Sequence, residues 1–316
     1  MATYNGEKFL SEQIDSILNQ TYQDFELIIC DDCSKDRSPD ILKEYQSKDS
    51  RIKVFFNENN LGFKKNFEKA LSFCQGDYIA FCDQDDVWKK DKLQKSLDCI
   101  KDKMLISTDS LLVDSKLNSL GRTFKENLGI KSLPLEQKTL LKNLIHHSFI
   151  QGTTILCSAS FIKRHLPLPD DCIYHDLYFG ICAVIEDSYN YLDEPTLLYR
   201  QHENNVIGNK KKSKFSFLIP GEYNREKIIA KSKERIYLIN LEMKSSSDSE
   251  LKKYLLESKK YYEGLADKKF YTLHYLHKYY SYLQWDYSPL NKMLTLIKRF
   301  LGILIYKLFL QWNYKK

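Results

Sequence analysis

Between Phe25 and Asp114, short runs rich in Ile, Val, Phe and Tyr alternate with stretches whose apolar residues recur at helical spacing. Phe25–Cys30, Ile52–Phe56, Tyr78–Cys82 and Met104–Thr108 read as strands. Asp40–Gln46, Lys64–Phe73 and Lys89–Ile100 read as the intervening helices; in the second, Phe67, Ala70, Leu71 and Cys74 share one face. A helix at about Phe9–Leu18 precedes them all. This alternation predicts an α/β fold with a mostly parallel sheet flanked by helices on both sides.

The pattern continues through a helix near Glu136–Ile145, a strand at Thr153–Cys157, a helix from His175 to Ile185 and a strand near Tyr191–Arg200. After Gly208 the chain turns Lys-, Tyr- and Leu-rich, with helical periodicity throughout. The expected division is an α/β domain over 1–208 and an all-helical extension over 209–316. The start is unusual. A helix opening such a sheet should follow a first strand, yet only Met1–Tyr4 precedes the Asn5-Gly6 turn. The reading favoured is that a few N-terminal residues of that strand are missing.

With 316 residues and 43% hydrophobic content, the chain is long enough for one large domain plus an appendage. Its net charge of +6 is too small to argue for nucleic acid, and no nucleic-acid partner is expected. Acidic clusters occupy the first 200 residues, whereas lysines crowd the remainder, as in Lys210-Lys211-Lys212 and Lys315-Lys316. That asymmetry suggests a tail facing an anionic surface. Several of the eight cysteines lie inside apolar runs, as Cys30 and Cys82 do, and read as reduced core thiols of a cytoplasmic protein. Met1–Tyr4 begins polar without an apolar leader, and the most apolar stretch, Phe300–Leu310, is too short to span a bilayer.

Open α/β sheets bind ligands beyond the carboxyl ends of their strands. Here two strands empty into acids: Phe25–Cys30 into Asp31-Asp32, and Tyr78–Cys82 into Asp83-Gln84-Asp85-Asp86. In extended chain Asp83 and Asp85 point the same way, so both carboxylates can reach one hard cation such as Mn²⁺ or Mg²⁺, with phosphate oxygens completing its shell. The alternative, Asp86 as the N-cap of the following helix, explains one aspartate and not three. For Asp31 and Asp32 two readings stay open: hydrogen bonding to a base or ribose, or a helix cap or Asx-turn.

Ala2-Thr3-Tyr4-Asn5-Gly6, Asp31-Asp32-x-Ser34-x-Asp36, Asn57-x-x-Asn60-x-Gly62 and Asp83-Gln84-Asp85-Asp86-x-Trp88 resemble, in order and spacing, family-2 glycosyltransferases of the GT-A fold. The likeness covers roughly residues 1–205 and is nearest to the bacterial rhamnosyltransferase-like branch, which decorates cell-surface polysaccharide. The resemblance implies that Tyr4 and Asp31 or Asp32 hold the base and ribose of a dTDP- or UDP-sugar. It implies that Asp83 and Asp85 hold a divalent metal against the diphosphate. The family's catalytic base, often in a Glu-Asp pair opening a later helix, maps to Asp176 of Tyr174-His175-Asp176, with His175 as a departure. The other reading of Asp176 is a carboxylate stabilised by its helix dipole. Tyr199–Asn205 looks like this branch's closing motif; Arg200 would face the diphosphate, and His202 is either a further metal ligand or structural. Lys64 lies where a cation would meet phosphate, or is an ordinary helix-surface lysine.

Lys292–Lys316 carries Leu294, Ile297, Leu301, Leu304 and Leu308 at helical spacing among basic residues. Such a helix lies on a membrane surface or packs against protein. The first option suits a saccharide or lipid-linked acceptor at the inner face of the plasma membrane. The expectation is an inverting hexosyltransferase. The alternative is an inactive, N-terminally truncated remnant that binds a nucleotide or partner without catalysis.

Overall fold

The computed structural model describes residues 1–130, 133, 136–146, 148–202 and 225–266. Its elements in chain order are β1 (Ala2–Thr3), α1 (Leu10–Leu18), β2 (Leu27–Asp31), α2 (Ser38–Lys48), β3 (Ile52–Phe56), α3 (Phe63–Phe73), β4 (Tyr78–Ala80) and β5 (Val87–Trp88). There follow α4 (Lys92–Ile100), β6 (Leu105–Val113), β7 (Ser119–Thr123), α5 (Phe124–Asn127) and α6 (Gln137–His146). A 3₁₀ turn at Gly152–Thr154 leads into β8 (Leu156–Ser158), α7 (Ala159–His165), α8 (His175–Ile185), β9 (Tyr189–Arg200), α9 (Arg225–Ser245) and α10 (Ser249–Ala266). Lys210–Lys212 and the apolar-basic stretch from Lys292 to Lys316 lie outside the described residues.

Two compact units account for these elements: Met1–Leu128 with Ser148–His202, and Gly129–His147 with Glu203–Lys316. In the first, β1, β2 and β3 form a parallel sheet, with Ala2 opposite Cys30 and Leu27 opposite Ile52. All five residues of β2 are buried, as a strand covered on both faces requires. Leu27 and Ile29 join the core built on Leu10, Ile14, Ile17 and Leu42 of α1 and α2, whereas Ile28 and Cys30 pack against Ala70 of α3. The two-residue period of the strand thus places helices on opposite sides.

The second sheet runs β4-β8-β6-β9-β5, with β7 on β6. Only β6 and β9 pair in parallel there; the other pairings are antiparallel, which periodicity alone does not reveal. Val87–Trp88, expected to run into a helix, instead pairs with Leu198 and Leu197 of β9. The helix therefore begins at Lys92 with Asp91 at its N-cap position, and Asp86 is not a cap.

In the second unit, α6 stands with α9 and α10. The sequence boundary at residue 208 had grouped this helix with the sheet. Its buried Leu140, Leu141 and Leu144 belong to the helical unit. Lys138 pairs with Asp248 and Glu250, and Arg235 donates to the Leu144 carbonyl at 2.7 Å. Among the described residues no helix is long and apolar enough to cross a membrane.

Candidate active site

The acid stretch is held at both ends by sheet. β4 ends at Ala80, Phe81 and Cys82 are buried, and Val87–Trp88 re-enters pairing on β9, so Asp83–Asp86 forms a taut connection between them. Arg200, at the end of β9 and 1% exposed, clamps this connection from within. Its backbone N–H donates to Asp86 Oδ1 at 3.2 Å, and Nε donates to the Asp85 carbonyl at 2.7 Å. Nη1 donates to the Ser115 carbonyl at 2.9 Å, Nη2 meets the Glu12 carboxylate, and the guanidinium lies over the Phe9 ring. Arg200 therefore supports the acids from the protein side, where the sequence reading had it facing a diphosphate. Two residues on, His202 Nε2 lies 2.8 Å from Asp85 Oδ2, with its ring against Phe9.

Asp176 reaches the same place from the first turn of α8. Burial pushes the Asp83 carboxyl up to about 7, and the charges of Asp85 and Asp176 add to the rise. Asp86 is raised well above the ordinary carboxylate range by burial and then by Asp85 and Asp83. Acids some ninety residues apart in sequence thus sense one another across one site. The Asp176 carboxylate is oriented by two backbone donors: Gly152 N–H to Oδ2 at 3.1 Å and Leu177 N–H to Oδ1 at 2.7 Å.

His175 points away from solvent, between the rings of Phe67 and Phe81 at centroid distances of 4.5 and 4.9 Å. Burial lowers its pKa to about 4, so the imidazole is neutral at pH 7. Neither ring nitrogen has a hydrogen-bond partner among the described residues. A Cβ on Gly152 would come within 3.0 Å of its Nε2, which is why the turn beside Asp176 carries glycine.

The loop after β1 borders the site. Four successive amides are each taken by a side chain from another motif: Tyr4 N–H by Gln84, Asn5 by Ser34, Gly6 by Ser38 and Glu7 by Asp36. Tyr4 itself stands 48% exposed at the rim. Asp31 accepts from Thr3 Oγ1, Ser34 N–H and Ser34 Oγ. Asp32 accepts from Asn57 Nδ2 and from the amides of Leu61 and Gly62, the latter at φ 79°, where glycine is favoured. Both carboxylates shape the loops around them, the Asx-type role left open above, and each retains capacity for one more donor. Lys64 Nζ is turned onto the carbonyls of Pro169, Asp170 and Cys172, at 3.1, 3.2 and 2.9 Å, and not toward the acids.

The site therefore joins Asp83, Asp85, Asp86, Asp176 and His202, and places Tyr4, Asp31 and Asp32 along its flank. Sequence reasoning missed Gln84, Glu12, Gly152 and the structural role of Arg200. Only the Gly-Thr-Thr turn before a strand hinted at Gly152. The crowding of like charge around Asp83 fits a divalent cation. Among the described residues no three His, Cys, Asp or Glu side chains form a ready-made cage. A cation here would need oxygens from a bound diphosphate, as Mg²⁺-type sites commonly do.

The sequence profile of glycosyl transferase family 2 matches residues 1–166. The dTDP-rhamnosyl transferase RfbG of Shigella flexneri is 33% identical over 217 residues, 66% of this chain and 73% of that protein. Residues 1–349 of Staphylococcus aureus TarS, in complex with UDP-GlcNAc, superpose with a TM-score of 0.54 at 18% identity, covering 90% of this chain and 79% of that fragment. The mannosyltransferase PcManGT of Pyrobaculum calidifontis, in complex with GDP-Man and Mn²⁺, gives 0.55 at 13% identity over 99% of this chain and 81% of its own. At such identities the two structures speak to the fold, which is the GT-A type.

Proposed function

The chain belongs to glycosyl transferase family 2, and we propose that it is a metal-dependent, inverting hexosyltransferase using a nucleoside-diphosphate sugar. The observation that carries this reading is the convergence of Asp176 on Asp83 and Asp85. A base opposite an acid pair that could hold a cation against a diphosphate suits a single displacement at an anomeric carbon.

Asp83 and Asp85, with His202 beside Asp85, would hold a divalent cation, Mn²⁺ or Mg²⁺. Bound there, it supplies positive charge that stabilises the departing diphosphate. Asp176 takes the proton from the acceptor hydroxyl, and the oxygen attacks the anomeric carbon opposite the leaving nucleoside diphosphate. The C–O bond to the diphosphate breaks as the new glycosidic bond forms, inverting the configuration. Gly152 and Leu177 hold the Asp176 carboxylate in the geometry that transfer requires. Arg200 acts through the Asp85 carbonyl and Asp86, as a positioning residue.

Tyr4, with Asp31 and Asp32 behind it, would receive the base and ribose. The similarity to RfbG favours a dTDP-sugar over a UDP-sugar. The apolar-basic tail from Lys292 to Lys316 favours a saccharide acceptor carried on lipid, at the inner face of the plasma membrane. The inactive-remnant alternative is not favoured: the family-2 match runs over residues 1–166, and RfbG is 33% identical over 217 residues.

The test is product analysis with dTDP- and UDP-hexoses, Mn²⁺ and lipid-linked glycan acceptors. An anomerically inverted product that disappears in Asp176→Asn supports the reading. A retained configuration, or undiminished transfer by the variant, overturns it.

A further inference from the structure

Gln84 lies between the two acids proposed to hold the cation, yet its side chain turns away to the loop after β1. Its Oε1 accepts the Tyr4 N–H at 2.8 Å, and its Nε2 donates to the Tyr4 carbonyl at 3.1 Å. Both backbone groups of one residue are thus taken by one planar amide, across eighty positions of sequence. Such two-point pairing fixes orientation as well as distance. The fit is close: a Cβ on Gly6 would fall 2.5 Å from Gln84 Oε1 and 2.7 Å from its Cδ. Gly6 has no positive φ that would demand glycine, and a methyl there would push the Gln84 amide out of its place against Tyr4.

The other side of the loop is held by Ser34, Asp36 and Ser38. Those contacts anchor it to the segment after β2, while α1, which follows it, reaches the residues flanking the acids through Gln13 to Cys82 and Ser16 to Trp88, without touching the Tyr4 backbone. Gln84 is the only residue of the Asp83–Asp86 stretch that has a hydrogen bond to the loop among those described.

We propose that Gln84 is a positioning residue that brackets the Tyr4 loop to the acid stretch, setting the spacing between the nucleoside and diphosphate halves of the donor site. This rests on the transferase reading above, and its consequence is specific. Loosening the bracket impairs ligands that span both halves and spares those that occupy only the acid half.

The experiment is calorimetric titration of the full chain with dTDP and with inorganic pyrophosphate, each with Mn²⁺, in wild type, Gln84→Ala, Gly6→Ala and the double variant. Hydrogen exchange at the Tyr4 amide is followed in the same samples without ligand. Gln84→Ala is expected to weaken dTDP about tenfold, because binding must then order a loop that two neutral hydrogen bonds had held in place, leave pyrophosphate unchanged and speed exchange at Tyr4. Gly6→Ala should reproduce this loss, and the double variant should lose no more than either single one. Equal loss of both ligands, unchanged dTDP affinity, additive losses, or unchanged Tyr4 exchange would each overturn the bracket. Wild type that binds neither ligand would count against the transferase reading, while the exchange result still decides the bracket.

Discussion

The backbone N–H of Gly152 donates to Asp176 Oδ2 at 3.1 Å, while the same glycine leaves room for the His175 ring beside it. One residue therefore orients the proposed base and accommodates the side chain that packs the base's helix into the core. His175 lies between Phe67 and Phe81 and has little freedom to yield. In Gly152→Ala the new methyl must displace the ring or the turn. The expected result is a fall of about tenfold or more in kcat, since small misplacements of a reacting group are costly. Affinity for nucleoside diphosphate should hold. Steady-state kinetics beside calorimetry checks this.

Asp176→Asn keeps the shape and both backbone donors nearby but removes the proton acceptor. A positioned general base contributes about 10²–10⁴-fold, so kcat should fall in that range while KM for the donor changes little. A kcat within a factor of a few of wild type would return Asp176 to the role of a helix-terminal carboxylate.

Arg200→Ala leaves the carbonyls of Asp85 and Ser115 without their donor and removes a cation from a fully buried position. Breaking such a network costs about 3–5 kcal/mol, measurable by urea denaturation. Arg200→Lys should rescue only part of it, because acceptors met by three different guanidinium nitrogens lie too far apart for a single ammonium.

Glu242 of α9 is 1% exposed, and both its carboxyl oxygens have no hydrogen-bond partner among the described residues. Burial raises its pKa from 4.5 to about 8. The folded state thus keeps a proton that the unfolded chain releases, so stability from this group is full below about pH 4.5 and is lost as pH rises toward 8. Each pH unit across that window costs about 1.4 kcal/mol. Glu242→Gln should match wild type near pH 4.5 and exceed it increasingly up to pH 8. Thermal melts at both ends of the window check the slope, and a constant difference would refute it.

What the sequence made legible was the local patterning and the end points of strands. Phe67, Ala70 and Leu71 marked the buried face of α3, and the acids after β4 stood out because strand ends are where such sheets bind ligands. What it concealed was pairing. Val87–Trp88 gave no sign that it would bond β9, since a two-residue strand carries no period. Arg200 looked like a phosphate ligand because its partners are backbone carbonyls and Glu12, distant in sequence and uninformative by residue type. Lys64 misled for the same reason: three carbonyls hold its ammonium. Gln84 was hidden between two aspartates that drew the chemistry to themselves.

A diphosphate site built on Asp83 and Asp85 is put to the test by calorimetric titration of the protein with dTDP, UDP and GDP, with and without Mn²⁺. One diphosphate should bind only with the metal and lose at least tenfold in affinity in both Asp83→Asn and Asp85→Asn. Binding that ignores Mn²⁺ and survives both substitutions, or no binding by folded protein, would contradict it.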